Sequence, residues 1–224
     1  MRRIIFSIIF CTLCIFGFSS QAQAMLSAIL TADNHYALYY GAVNGSGLTF
    51  VGRNEIGSAG SPGTFNWSLP ETWNFNPNSN DFLYVLAWDA DFQQMWIGDF
   101  TLPDGSSLLS NTTDWEFYIS ANSNPGDLGN PPILSTIAAE IASAVWAAPL
   151  ASAPQGTSPW GNIPGISASA KFIWDDTLLS SSDSDAHYVI FRTKNSVNPV
   201  PEPMTLTLLA TGMAGVVACR RVRK

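Results

Sequence analysis

The sequence predicts a mainly β protein, an antiparallel β-sandwich or barrel with one inserted α-helix, flanked by an apolar helix at each end. Three observations predict it. Between Met25 and Val200 many short apolar runs are separated by Gly, Asn, Ser and Pro clusters, the rhythm of strands and turns. Only the stretch from Ile133 to Ala148 breaks that rhythm, with an apolar residue at every fourth position. Uninterrupted apolar runs bounded by basic residues lie at both ends of the chain.

At the N-terminal end, Arg2 and Arg3 precede an apolar run from Ile4 to Phe18, and the segment closes on Ala22-Gln23-Ala24. Small side chains at Ala22 and Ala24 fit the shallow pockets of signal peptidase. The expectation is a signal helix over residues 1–24, cut after Ala24 so that the mature chain begins at Met25. The alternative is a retained anchor, which needs more length: the run holds 15 residues, and a bilayer span takes about 20. Cys11 and Cys14 leave with the signal, neither following the Leu-small-small triplet that lipid attachment needs.

Strands are expected at Leu26 to Thr31, Tyr36 to Tyr40, Leu48 to Gly52, Phe82 to Trp88, Met95 to Phe100, Glu116 to Ser120, Ala170 to Trp174 and His187 to Arg192. Asn44-Gly45-Ser46-Gly47 and Pro103-Asp104-Gly105 supply turns. After Pro131-Pro132, the spacing of Ile133, Ile137, Ile141 and Val145 predicts an amphipathic helix begun near Ser135 or Thr136 and ended by Pro149. The Pro/Gly/Ser-rich stretch from Pro154 to Ile166 reads as a surface loop pinned by Trp160, or as a flexible connector.

Six of the ten basic residues stand in the two terminal segments, and all three cysteines stand there too. Residues 25–200 therefore hold sixteen acidic and four basic side chains, a net charge near minus twelve, with no cysteine. That charge repels nucleic acid and leaves cations or neutral sugars as partners. Without disulfides, the domain must be held by its own core, and one domain of this length can bury enough surface.

Residues 195–200 read as a linker that leads into Pro201-Glu202-Pro203, an apolar run from Met204 to Ala218, and then Arg220, Arg221, Arg223 and Lys224. Basic residues directly after an apolar segment hold its end in the cytoplasm, so the run is expected to be a single transmembrane helix that keeps the domain outside the inner membrane. It is a thin span, marked by proline on one side and arginine on the other. The three parts in this order resemble the PEP-CTERM sorting signal of Gram-negative bacteria. That resemblance implies recognition by exosortase, with cleavage near the motif and Pro201, Glu202, Pro203, Arg220 and Arg221 as recognition elements. The alternative is a plain C-terminal anchor.

A second resemblance runs through the middle. Thr31-Ala32-Asp33-Asn34-His35-Tyr36 to Gly41, then Asn66-Trp67, Leu83 to Asp89, Trp96-Ile97-Gly98, Thr113-Asp114-Trp115, Trp160-Gly161, Phe172-Ile173-Trp174 and Val189 to Arg192 stand in this order. Together they look like a galactose-binding-like module, which implies a jelly-roll β-sandwich over residues 25–194. Tyr40-Gly41 departs from the Asn-Gly that usually ends the first strand of that module, and the Ala-rich helix is no core part of it.

The chemistry on offer is sparse. Two histidines, His35 and His187, and no cysteine between residues 25 and 200 fall short of a zinc site, and no nucleophile-elbow sequence surrounds a serine. Asp89 and Asp91 are candidate calcium ligands, set against the reading of solvated acidic loops and Asx-turns. Flat rings stack on sugar faces. Trp67, Trp73, Trp96 and Trp160, in or beside loops, are therefore ligand candidates together with Asp33 and Asn34, while Trp88, Trp115 and Trp174 belong in the core. The expected function is a non-catalytic, polysaccharide-associated surface or matrix component. The alternatives are a glycan hydrolase with a carboxylate pair among Asp89, Asp91, Asp175 and Asp176, or a self-associating adhesin.

Overall fold

The computed structural model describes residues 25–54, 67–89, 92–127, 129–180 and 185–197. The expected signal helix over 1–24 and the sorting tail over 201–224 lie outside them.

Alternation of side chains along each strand organises what is described. Strands β1 (Leu26–Asp33), β4 (Glu71–Phe75), β6 (Met95–Thr101), β9 (Ala151–Pro154) and β10 (Lys171–Trp174) form one antiparallel sheet in the order β4-β1-β6-β10-β9, with β7 (Ser107–Leu109) beside β6. Strands β2 (His35–Gly41), β3 (Thr49–Arg53), β5 (Phe82–Trp88), β8 (Trp115–Ser123) and β11 (His187–Thr193) form the second in the order β3-β2-β5-β11-β8. Alternate residues of β1 (Leu26, Ala28, Leu30, Ala32) and of β5 (Leu83, Val85, Ala87) meet in one buried cluster with Trp96, Trp115, Trp174 and Phe191, so the sheets pack face to face. Trp88, Trp115 and Trp174 are all buried.

Both outer faces are covered as well. Ile137 and Ile141 of helix α1 (Leu134–Ser143) pack on Ala37, Tyr39, Tyr84, Leu86, Trp88, Tyr188 and Ile190 of the second sheet. Trp160, Ile163 and Ile166, from the loop before β10, pack on Met95, Ile97 and Phe172 of the first. The stretch around Trp160 is therefore an ordered cover.

The eight expected strands are present: β1, β2, β6 and β11 run a residue or two longer, β8 four longer, β3 is shifted by one, β5 matches and β10 is a residue shorter. Three were not expected. Glu71–Phe75 alternates polar residues with aromatic ones on a sheet edge, Ser107–Leu109 is only three residues long, and Ala151–Pro154 is made of small residues and proline. Their apolar signal is too short or too weak to read as a strand.

The helix is shorter than its periodicity implies. Ala144 leaves helical geometry at φ −63° and ψ 137°, so Val145 drops out of the stripe and is 85% exposed, as Ile133 is at 72%. The next residues meet a competing partner: Ala147 exchanges both backbone hydrogen bonds with Phe117 at 2.7 and 3.0 Å, capping the free edge of β8.

Register fixes two ends of the body. Ser27 lies opposite Thr101, Gly41 opposite Phe82 and Thr193 opposite Trp115, which gathers Leu26 and Thr193 at one end, the terminal end. Asp33 lies opposite Met95 and His35 opposite Trp88, and β1 passes to β2 through Asn34 at the other, distal end. Asn195, Ser196 and Val197, expected in a linker, belong to the body: Val197 is buried and its N–H donates to the Asp81 carbonyl at 2.8 Å.

Candidate functional site

The distal end carries most of the polar candidates. Asp33 is 8% exposed, and its carboxylate accepts from Trp160 Nε1 at 2.6 Å and from the Asn34 amide at 3.1 Å. The Asn54 side chain accepts from Tyr36 N–H at 3.0 Å and donates to the Asn34 carbonyl at 2.6 Å. These bonds lock the turn between the sheets and put its carboxylate on an internal indole.

The tryptophans do not form the exposed platform expected of them. Trp96 is fully buried because it stands at an inward position of β6, in the middle of the first sheet, with Trp115 edge-on at 4.7 Å. Trp160 is 2% exposed and lies 5.1 Å from Phe172 on the outer face of the same sheet. Half-buried Trp67 packs into that outer cluster, and half-buried Trp73 donates to Tyr36 Oη at 2.8 Å. Trp67 and Trp160 are thus separated from Trp96 by the sheet itself.

Asp89 is buried where β5 ends, and Asp91 lies outside the described residues. Asp175 is buried at the same end, after β10, whereas Asp176 is exposed. Among the described residues no group of three His, Cys, Asp or Glu side chains could hold a metal ion.

Two arrangements were missed by the sequence reading. His35 stacks on Trp88 at 4.9 Å with 7° between the rings, its Nε2 is 3.3 Å from Asp127 Oδ1, and the Arg53 guanidinium lies over the same indole at 5.7 Å. Burial pushes the His35 imidazole down to about 4, against the pull of the Asp127 carboxylate. Nothing in the local sequence pairs residues so far apart. The second is Glu140, one-tenth exposed or less on the sheet-facing side of α1. Its carboxylate accepts from Ser120 Oγ at 2.7 Å, Ala121 N–H at 3.1 Å, the Asn122 amide at 2.9 Å and the Tyr188 hydroxyl. An acid one position before Ile141, inside an apolar stripe, was the signal for it.

At the terminal end a hollow of about 330 Å³ opens beside the last described residues. Leu102, Leu108 and Val197 give it apolar walls, and the exposed carboxylates Asp104 and Asp114 line it. The Ser106 hydroxyl and amide hold the Asp104 carboxyl below its usual range. Val197, the last of the described residues, lines this hollow, and the C-terminal tail follows it in sequence.

Residues 199–224 match the PEP-CTERM protein-sorting motif. The motif implies that the chain is an exported substrate of an exosortase and passes through a membrane-anchored sorting intermediate. The comparisons with curated proteins and with solved structures gave no match. Among the described residues no helix is long and apolar enough to cross a membrane, and the apolar run of the PEP-CTERM segment lies outside them.

Proposed function

We propose that this PEP-CTERM chain is a non-catalytic component of the cell surface or extracellular matrix that associates with exopolysaccharide. The observation that carries the reading is the sorting motif at 199–224. In this reading residues 1–24 are removed by signal peptidase, and the body crosses the inner membrane and is handed to exosortase. It is acidic and free of cysteine, held by two sheets whose nested pairing, β1 with β6 and β2 with β5, suits a jelly-roll. Sugar contact falls to exposed aromatics such as Phe50 and Phe92, since Trp96 and Trp160 are buried.

The test is fractionation and pull-down of the processed protein with the host exopolysaccharide, with and without calcium. Retention that is lost in a Phe50→Ala, Phe92→Ala variant is the expected outcome; no retention in either condition sinks the polysaccharide link.

A second reading, a glycan hydrolase, draws on the burial of Asp89 and Asp175 at the same end. It requires hydrolysis that disappears separately in Asp89→Asn and Asp175→Asn.

A further inference from the structure

The body reaches close to its sorting motif. Val197 is buried and fastened to Asp81, and Pro201 is four residues further on, a reach of at most about 14 Å even when fully extended. A specific protein interface covers about 800 Å² on each partner, a disc of roughly 16 Å radius. An enzyme that grips Pro201-Glu202-Pro203 therefore works within reach of the end of the body that holds Val197.

That end has a defined character. It presents a hollow of about 330 Å³ with Leu102, Leu108 and Val197 in its walls and the exposed carboxylates Asp104 and Asp114 along it. Of the nearby cations, Arg192 is held by Glu116, and Lys194 Nζ is 3.5 Å from the Thr112 carbonyl. A partner surface suited to this face is basic around an apolar contact.

We propose that the terminal end of the folded body is a docking face for the sorting enzyme, a basic outward surface of which covers the hollow and meets Asp104 and Asp114 while the enzyme holds the motif. The body is then part of what the enzyme recognises. The inference rests on the reading of this chain as an exosortase substrate.

The experiment follows conversion of the full-length chain to its processed form in a host that carries the sorting enzyme. Asp104→Asn with Asp114→Asn should slow conversion about fourfold, two exposed charges each contributing a factor of about two. A 16-residue Gly/Ser insertion after Val197 lowers the effective concentration of the docking face about tenfold, and it should slow conversion to a similar extent. In the inserted chain the two Asp→Asn changes should add little. The insertion alters no residue of the body, so it remains decisive if the Asp→Asn variant folds poorly. Unchanged or faster conversion with the long tether overturns the docking face, since the body would then be inert or an obstruction. Pro201→Ala with Pro203→Ala should stop conversion altogether; if the unaltered chain is never converted, it is the substrate reading that fails.

Discussion

Glu140 shows how much of this fold rests on single buried polar groups. Its carboxylate takes four donors, from Ser120, Ala121, Asn122 and Tyr188, and so fastens α1 to β8 and β11. Burial first, and then the bond to Glu140, pushes the Tyr188 hydroxyl up to about 12. Glu140→Ala strands those donors and should cost about 3–5 kcal/mol in denaturant unfolding, whereas Glu140→Gln, which keeps an acceptor, should cost clearly less. His35 gives the pH counterpart. Its folded value is about 4, below the ordinary 6.5, so the unfolded chain binds the proton more tightly between those values. Stability is therefore full above about pH 6.5, falls as the pH drops toward 4, and loses nothing more from this group below that. His35→Phe keeps a ring on Trp88 and should flatten this part of a plot of unfolding midpoint against pH.

Between elements, two edge strands from different sheets meet closely. Gly52 of β3 faces the ring of Trp73 in β4, and a Cβ at Gly52 would lie 2.5 Å from it. Trp73 is also held through Tyr36 Oη, which donates to Glu71 at 2.9 Å, so the ring has little freedom to move aside. Gly52→Ala should cost about 1–3 kcal/mol, and Trp73→Leu should relieve much of that in the double variant, measured by a thermal-unfolding cycle. Helix α1 makes the complementary point. Its periodicity placed Ile137 and Ile141 on the sheet, but where the helix stops was decided by Phe117, which claims the backbone of Ala147.

For the whole molecule, charge and termini set the behaviour. Residues 25–200 carry a net charge near minus twelve, and self-repulsion of that size is screened by salt. The unfolding midpoint of the processed protein should therefore rise with added sodium chloride at constant pH; a flat or falling response would show that charge pairing outweighs repulsion. Leu26 and Val197 lie at the same end, and the loops around Asp33, Asp89 and Asp175 lie at the opposite end.

The sequence by itself determined the mainly β class, eight of the eleven described strands, the core positions of Trp88, Trp115 and Trp174, and the sorting motif. Each of these is a local or periodic property: alternation, apolar run length, or a short string read in order. Only the tertiary structure decided that Trp96 and Trp160 are buried, that β4, β7 and β9 exist, that α1 ends at Ser143, and that His35 meets Trp88 and Asp127. These depend on which residues distant in sequence become neighbours. A tryptophan beside a loop carries the same local signature whether a neighbouring sheet covers it or water does, and strand order, which no local pattern records, settles which of the two it meets.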